Sequence, residues 1–282
     1  MNINKEIPVV FQGILGAHSH MSLLLFAQKK SFSLVGQPQE GYFDDVFQAL
    51  LDDTGIGWLP IENSYAGSIT QTIDFLRNAH VQVLAGYDHN VSHCLAAVPG
   101  SGVDTIKKVF SHPQALAQCK HFLQEKHYQA EAYNDTAAAA RFVRDKQDKK
   151  IACLCSHLAA DIYDLELLDS SVQDVTGNTT RFLLVADKNR IHEFDHLRST
   201  NNSKTIIVFE TLGGYSALHR VLSVFADRKI NLTKITSRPT NQEAFSYFFY
   251  CEIEGVQSDK NISIALADLD SVTQSWKCLG EY

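Results

Sequence analysis

Over its first 187 or so residues the chain alternates short apolar strand patterns with helical patterns. Residues 9–12 precede a helical pattern around residues 19–28, and residues 108–110 precede a helix predicted at residues 113–123. Pro113 suits the first turn of that helix, because its missing N–H would have no partner there. Such alternation is typical of parallel sheets covered by helices, so the sequence predicts an α/β fold for this region.

A different pattern follows a polar stretch at residues 187–204, which is the predicted linker. Beyond it, one helix carries Leu218, Val221, Leu222 and Phe225 at i, i+3, i+4 and i+7. Strands are predicted at 205–209, 232–237, 245–253 and 276–279, and a further helix at 262–269. This order, βαββαβ, is ferredoxin-like. Since 282 residues suffice for two domains, we predict domains at residues 1–190 and 203–282.

Composition restricts the partners and the compartment. The formal net charge of -7 disfavours a nucleic-acid partner, because phosphate backbones are bound by excess Lys and Arg. No run of 18 or more apolar residues occurs, and the N-terminal residues reach the first strand pattern without a signal-type segment. We therefore predict no membrane association and a cytoplasmic protein.

The cysteines are read as reduced core thiols. Cys94, Cys153 and Cys251 lie inside apolar runs, so no disulfide is predicted. The sequence Cys-Leu-Cys-Ser-His at residues 153–157 contains residue types that bind metals. Zinc sites usually have wider cysteine spacing and a second ligand pair, so no metal is predicted.

Three polar segments, at residues 60–68, 111–119 and 173–182, lie where buried strands meet other elements. Asn63 and Ser64 are expected at a turn after a strand at residues 56–59, with a helix starting near Ser68. Ser111 and Gln114 stand where another strand meets the helix that Pro113 begins. Helix N-termini attract anions, so these segments are candidates for a small-anion site. The alternative is that they are only turn and capping residues.

These three segments, in this order, resemble the prephenate dehydratase family, and residues 231–239 (Asn-Leu-Thr-Lys-Ile-Thr-Ser-Arg-Pro) resemble the ACT regulatory domain that follows it. The resemblance implies a two-lobed, periplasmic-binding-protein-like catalytic domain with its site between the lobes, followed by a ferredoxin-like ACT domain. It also implies loss of carbon dioxide and water from prephenate to give phenylpyruvate, without a cofactor. Two alternatives stay open: arogenate dehydratase, and a noncatalytic amino-acid sensor of the same fold.

The resemblance also assigns roles to residues. Thr180, at the family's Thr-Arg-Phe position, is expected to donate a hydrogen bond to the leaving hydroxyl, with Asn178 and Arg181 as further catalytic residues. Adjacent strand residues point to opposite faces, so Arg181 is equally a candidate for a salt bridge with Glu62, Asp174 or another carboxylate. The substrate-binding residues are expected to be Asn63, Ser64, Ser111, Gln114, Ser19 and Thr136.

The first glycine-rich turn of the family is similar to residues 13–20, with Ser19 at the position of its serine. This chain departs from the family there. Leu15 replaces a common proline, His18 stands where an aromatic residue is common, and His20 occupies a variable position.

Regulation by L-phenylalanine is implied by the ACT resemblance. The family's Gly-Ala-Leu segment becomes Ser216, Ala217 and Leu218, and its Glu-Ser-Arg-Pro segment becomes Thr236, Ser237, Arg238 and Pro239. Asn231 and Leu232 remain at the turn expected to contact the effector. Weaker inhibition than is usual for the family is therefore expected, in a homodimer or homotetramer.

Overall fold

The computed structural model describes residues 6–240 and 244–282, which form two compact units. Unit 1 holds the described residues up to Ser68 together with Tyr87–Phe182, and unit 2 holds Ile69–Gly86 together with the described part of Leu183–Tyr282. Each unit is thus built from two separate chain segments. The predicted domain ranges, 1–190 and 203–282, stay a prediction.

The secondary structure alternates as the sequence predicts. In chain order the strands are β1 (Ile7–Gln12), β2 (Leu34–Gln39), β3 (Ile56–Asn63), β4 (Gly67–Ser68), β5 (Val81–Asn90), β6 (Cys94–Ala97), β7 (Lys108–Ser111), β8 (Gln129–Ala132), β9 (Ile151–Cys155), β10 (Glu166–Asp169), β11 (Thr179–Asp187), β12 (Lys204–Thr211), β13 (Leu232–Pro239), β14 (Tyr247–Glu254) and β15 (Thr273–Glu281). The α-helices are α1 (His18–Lys30), α2 (Phe43–Ala49), α3 (Thr70–Asn78), α4 (Pro113–Gln118), α5 (Lys120–Glu125), α6 (Thr136–Lys146), α7 (His157–Ile162), α8 (Ile191–Phe194), α9 (Ala217–Ala226) and α10 (Lys260–Val272).

Unit 1 contains two sheets. In the first, β1 lies between β2 and β3 and runs parallel to both, and the first residues of β11 lie beside β3. The second has the order β10-β6-β9-β7-β8, with β7 parallel to β8 and β9. Apolar side chains cover both faces of this second sheet, Cys153 and Val98 on one and Val109 and Leu154 on the other. Parallel strands buried on both faces account for the continuous apolar runs in the sequence.

Strand β3 is longer than predicted, because it continues through Pro60 to Asn63. Leu59 and Ile61 are fully buried on either side of the proline. Burying two such side chains contributes about 3–6 kcal/mol, whereas the ladder hydrogen bond that proline cannot donate is worth about 1 kcal/mol. Asn63 is therefore the last residue of a strand and not a turn residue, and the helix expected near Ser68 begins at Thr70.

The helix predicted at residues 113–123 is two helices, α4 and α5, separated at Cys119. The Asp174 carboxylate accepts hydrogen bonds from the backbone N–H groups of His121 and Phe122, at 2.9 and 3.2 Å. The second helix therefore has its own N-terminal cap, supplied by a residue far away in the sequence. Local periodicity contains no sign of this break.

Two other predicted segments differ in detail. The strand expected at residues 91–98 is shorter, since β5 ends at Asn90 and β6 begins at Cys94. The polar stretch at residues 187–204 is not a free linker, because it forms short helical turns that bury Phe194 and Leu197. Two apolar side chains are enough to hold this otherwise polar segment in place.

Unit 2 has the predicted βαββαβ order, β12-α9-β13-β14-α10-β15. Its sheet has the order β13-β14-β12-β15, and the first part of β5 pairs in parallel with β15. Helices α9 and α10 share one core with the sheet, in which Ile207, Phe225 and Leu269 are buried. This confirms the ferredoxin-like part of the predicted fold.

No helix in the described part of the chain is both long and apolar enough to cross a bilayer.

Candidate active site

Unit 1 has a pocket where strands of both its sheets end. The carboxyl ends of parallel strands are where α/β folds usually bind ligands, because helix N-termini and loop side chains meet there. The wall is polar and comes from the ends of β1 and β3, the start of β11 and the first turns of α1, α4 and α6. It consists of Gln12, Ala17, His18, Ser19, Asn63, Val91, His93, His112, Gln114, Ala115, Gln118, Asn134, Asp135, Thr136, Asn178 and Thr180.

Asn63 is held by the loop that follows β3. Its side-chain Oδ1 accepts hydrogen bonds from the backbone N–H groups of Tyr65 and Ala66, at 3.1 and 2.9 Å. Its Nδ2 donates to Asn178 Oδ1 at 2.7 Å and to Thr180 Oγ1 at 2.9 Å. The buried side chain of Asn63 thereby connects the ends of two neighbouring strands.

Thr180 therefore receives a hydrogen bond on its oxygen. Because a hydroxyl has one proton and two lone pairs, an acceptor bond from Asn63 leaves the Thr180 proton available to another partner in the pocket. The neighbouring Thr179 differs, since its hydroxyl donates to the backbone oxygen of Gly177 at 3.3 Å. The two threonines are thus distinguished by geometry.

Four side chains extend this network, and three of them, Gln118, His93 and His18, line the pocket. Asn178 Nδ2 donates to Gln118 Oε1 at 3.0 Å, and His93 Nε2 lies 3.1 Å from the same oxygen. His93 Nδ1 lies 3.3 Å from His18 Nε2, and His18 Nδ1 lies 3.4 Å from His89 Nε2. The rings of His18 and His93 meet edge to face with centroids 5.1 Å apart. We call His89, His18 and His93 the histidine row.

Burial keeps the histidine row neutral at ordinary pH. Desolvation, followed by the proximity of His93 and His89, holds the pKa of His18 well below its usual value. Desolvation also lowers the pKa of His89 to about 4. The pKa of His93 is lowered by desolvation, although its hydrogen bond with Gln118 opposes the shift.

The predicted substrate-binding residues divide into two groups. Ser19, Asn63, Gln114 and Thr136 line the pocket, as do the predicted catalytic residues Asn178 and Thr180. Ser64 and Ser111 are not among the lining side chains. The hydroxyl of Ser64 accepts a hydrogen bond from Thr179 N at 3.0 Å, and the fully buried Ser111 donates to Leu154 O at 2.7 Å. Their roles in binding stay predictions, and the contacts present are structural.

Arg181 also lies outside the set of lining residues. Its Nε and Nη2 bind the two carboxylate oxygens of Asp88, at 2.7 and 2.9 Å. Strand alternation explains this, since Arg181 and Thr180 are adjacent in β11. The salt bridge that the sequence allowed as an alternative is present, and its partner is Asp88 instead of Glu62 or Asp174.

Sequence reasoning missed the contribution of Gln118, His93, His89 and Asp135. Gln118 ends α4, His89 lies near the end of β5, and His93 immediately precedes β6. Asp135 was foreseen only as a cap of α6, where its Oδ1 accepts from Ala137 N and Ala138 N at 2.8 and 3.0 Å. It also lines the pocket, and burial raises its pKa. The one sign of this network in the sequence is His18, which is adjacent to the predicted Ser19 and stands where an aromatic residue is common in the family.

The cysteines of β9 lie close to each other and to Cys94. Cys155 Sγ lies 3.7 Å from Cys153 Sγ and 3.9 Å from Cys94 Sγ, all within the buried core. The hydrogen bond with Cys153 is the largest factor that raises the pKa of Cys155, so this thiol stays protonated. Within residues 6–240 and 244–282, no group of three or more His, Cys, Asp or Glu side chains is arranged to hold a metal ion.

The predicted allosteric residues lie in unit 2. Ser216 precedes α9 with a left-handed backbone (φ 58°), and Ala217 and Leu218 begin the helix. Leu232 begins β13 and packs against the same core as Leu218. The backbone oxygen of Asn231 accepts a hydrogen bond from Glu254 N. Thr236, Ser237 and Arg238 lie in β13, and Arg238 forms a bidentate ion pair with Asp74.

Stability should fall on acidification because of the histidine row. An unfolded histidine takes up a proton near pH 6.5, whereas His89 in the folded protein does so near pH 4. Between these values the unfolded state binds more protons, so stability decreases by about 1.4 kcal/mol per pH unit for each such histidine. We expect the thermal midpoint to drop steeply from about pH 6.5 towards pH 5.

Thermal melts across this range measure the effect, and His89→Gln, which removes one titrating ring, should reduce the slope. Two other titratable groups of the pocket are Asp135 and His112. Because the pKa of Asp135 is raised, protonation of this carboxyl stabilises the folded protein at lower pH, which opposes the effect of the histidines. A midpoint independent of pH between 7 and 5 would contradict a neutral row.

Known proteins of one family are similar to this chain over most of its length. Residues 9–190 match the family model described as prephenate dehydratase. The chain is 34% identical over 297 residues to arogenate dehydratase/prephenate dehydratase 6, chloroplastic, of Arabidopsis thaliana, with 99% of this chain and 69% of the relative covered. The chain belongs to the prephenate dehydratase family.

Solved structures similar to this family member include prephenate dehydratase from Arthrobacter aurescens in complex with L-Phe. It has a TM-score of 0.84 at 26% identity, covering 98% of this chain and 89% of that one. GqqA, described as a novel type of quorum quenching acylases, has a TM-score of 0.83 at 26% identity, covering 98% and 97%. The predicted α/β fold, with a two-lobed, periplasmic-binding-protein-like part, is confirmed.

Proposed function

We propose that this chain catalyses the decarboxylating dehydration of prephenate to phenylpyruvate, the step that precedes L-phenylalanine. The reaction consumes one proton: the ring carboxylate leaves as carbon dioxide, its bonding electrons complete the aromatic ring, and the hydroxyl leaves as water. The observation that supports this function best is that the Thr180 hydroxyl oxygen accepts from Asn63, because this leaves the Thr180 proton for a partner in the pocket.

Thr180 acts in this proposal as an oriented donor. A threonine hydroxyl is a weak acid, so the hydrogen bond gains strength only as negative charge develops on the departing oxygen. Such an interaction is stronger in the transition state than in the ground state, and it therefore raises the turnover rate. Asn63 and Asn178 hold the donor in place beforehand, so no reorganisation is needed during the reaction.

The substrate carboxylates are held by neutral donors in this proposal. Among the described side chains that line the pocket, none is Lys or Arg. Helix α1 begins at the pocket without a side-chain cap, and its first N–H groups carry partial positive charge. Amides such as Gln114 and Asn134 add further donors. A wall without full positive charges leaves the departing carboxylate poorly stabilised, which favours its loss.

Arogenate is the second candidate substrate, and Asp135 is the observation that favours it. Arogenate carries an ammonium group where prephenate has a keto oxygen. Among the described side chains that line the pocket, Asp135 is the one carboxylate, and its two capping bonds both end on Oδ1. An ammonium group beside this carboxylate would gain a charge-assisted hydrogen bond.

Turnover assays with prephenate and arogenate in parallel test these functions. Formation of phenylpyruvate supports the first, formation of phenylalanine supports the second, and no turnover of either by folded protein indicates a noncatalytic sensor. If arogenate is preferred, Asp135→Asn should reduce that preference and leave prephenate turnover less affected.

We further propose that the βαββαβ part of unit 2 is an ACT domain that binds L-phenylalanine. Binding should be weaker than is usual for the family, because Thr236 lacks the carboxylate of the common glutamate and Ser216 adds a side chain at a glycine position. Thr236→Glu should tighten binding about tenfold, or about 1.4 kcal/mol, in calorimetry. No heat of binding and no inhibition at millimolar phenylalanine would indicate a different effector.

Assembly into a homodimer or a dimer of dimers is part of the same proposal. Strand β13 is an outer strand of the unit 2 sheet, and it exposes Ile235 and Thr233. An outer strand presents unpaired backbone groups that a second copy can pair with. Light scattering at micromolar concentration should give at least the dimer mass, and a monomer would contradict the proposal.

A further inference from the structure

Two backbone N–H groups determine the orientation of each side chain in the hydrogen-bonded network. The network runs from Asn63 through Asn178 and Gln118 to the histidine row. The N–H groups of Tyr65 and Ala66 can only donate, so the Asn63 atom that faces them is the oxygen. The NH₂ group of Asn63 therefore faces Asn178 and Thr180. Amide orientations are often ambiguous, but here the main chain decides them.

The same logic extends to Gln118. Since Asn63 donates to Asn178, the Asn178 atom at 2.7 Å is its oxygen, and its NH₂ group faces Gln118. The Gln118 atom between Asn178 and His93 is then an acceptor for both. His93 must carry its proton on Nε2 to donate to it, which leaves His93 Nδ1 as an acceptor.

The histidine row continues this polarity. His18 lies with Nε2 3.3 Å from the accepting His93 Nδ1, so His18 also carries its proton on Nε2. His18 Nδ1 then accepts from His89 Nε2 at 3.4 Å. All three rings are neutral Nε2–H tautomers, and each hydrogen bond points towards Gln118.

We propose that the histidine row is a positioning device for the pocket: its single polarity holds Gln118, and through it Asn178, in the orientation that pairs with Asn63 and lets Thr180 donate to the substrate. The link to catalysis rests on the function proposed above, whereas the tautomers do not. His18 and His93 also line the pocket, so a ligand there contacts the row directly.

The geometry favours this role over simple packing. Apolar rings would fill the same buried space without leaving polar atoms to satisfy, and burying three imidazoles and three amides costs free energy unless all are paired. Here the inward-facing atoms are paired in one unbroken order from Tyr65 N to His89. A network with one polarity switches as a unit, because reversing one amide forces its neighbour to reverse.

The decisive experiment is ¹⁵N NMR of the imidazole nitrogens, which distinguishes Nε2–H from Nδ1–H tautomers. In the unmodified protein at neutral pH, His18, His89 and His93 should all be Nε2–H. In Asn63→Asp, the carboxylate can still accept from Tyr65 N and Ala66 N but can no longer donate to Asn178. Asn178 and Gln118 should turn over, and all three histidines should become Nδ1–H.

Asn134→Asp is the matched control, because it adds the same charge to the same pocket outside the network. It should leave all three tautomers unchanged. Nδ1–H tautomers in the unmodified protein, or an unchanged row in Asn63→Asp, would overturn the inference whatever the enzyme's activity. If the protein has the expected tautomers but turns over neither prephenate nor arogenate, the inference about the histidine row stands and the proposed function is refuted.

Kinetics then test positioning separately from stability. His93→Gln keeps a donor and an acceptor, so kcat should stay within about threefold, whereas His93→Phe should lower kcat on the order of tenfold with little change in KM. Gln118→Glu keeps the acceptor and should retain more activity than Gln118→Leu. Equal losses in His93→Gln and His93→Phe at equal thermal midpoints would count against positioning, and if His93→Phe does not fold, the NMR comparison decides.

Discussion

Thr180→Ala should turn over prephenate on the order of 10² more slowly than the unmodified enzyme, with only a modest change in KM. The substitution removes the hydroxyl whose oxygen accepts from Asn63 Nδ2 at 2.9 Å. It also removes the proton that we expect to contact the leaving hydroxyl. Since that contact strengthens only as the carbon–oxygen bond breaks, its loss should affect kcat far more than binding. Steady-state rates of phenylpyruvate formation measure both constants.

Two neighbouring variants serve as controls. Thr180→Ser keeps the hydroxyl and should recover most of the lost rate, although the missing methyl lets it rotate more freely. Thr179→Ala removes a hydroxyl that donates to Gly177 O, and its effect should be mild. If Thr179→Ala were the more damaging change, the assignment of the donor to Thr180 would be wrong.

Gly280→Ala should destabilise unit 2 by on the order of 3 kcal/mol, and lower its thermal midpoint by about 10 °C. Gly280 lies opposite Val83 where β15 pairs with β5, and its φ is 128°. A Cβ atom there would lie 2.3 Å from the backbone oxygen of Val83, a distance that no rotamer change can relieve. The strands would have to separate.

The control for this prediction is Gly213→Ala in the same unit. Gly213 also has a positive φ, 76°, but a Cβ atom there meets nothing within 4 Å. It should cost only about 1 kcal/mol for the left-handed backbone. Calorimetry of both variants separates the steric effect from the conformational one, and similar midpoints for the two would contradict the argument.

The sequence predicted elements whose cause is local. Leu218, Val221 and Phe225 mark one face of α9, and Asp135 caps α6 as expected. It could not predict that β3 continues through Pro60 or that α4 and α5 separate at Cys119. The first depends on how deeply Leu59 and Ile61 are buried, and the second on a carboxylate supplied by Asp174. Both causes are tertiary.

The candidate site divides in the same way. A family resemblance identified Asn63, Asn178 and Thr180, which the structure brings into one hydrogen-bonded group. It did not identify Gln118 or His93, because their importance lies in a contact between α4 and the residues before β6. Nor could it place Arg181, whose partner Asp88 is 93 positions away in the sequence.

The division of each unit into two chain segments has a consequence during synthesis. Helix α3 and the first part of β5 belong to unit 2, yet their partners Glu210, Arg238 and Gly280 emerge from the ribosome much later. Gly280 follows Val83 by about 200 residues, so it is synthesised about 10–40 s later at ordinary translation rates. Until then, Val83 has no β15 to pair with. A nascent chain that pauses before β15 therefore presents one unpaired edge of β5 to chaperones, so translation speed should influence the yield of folded protein.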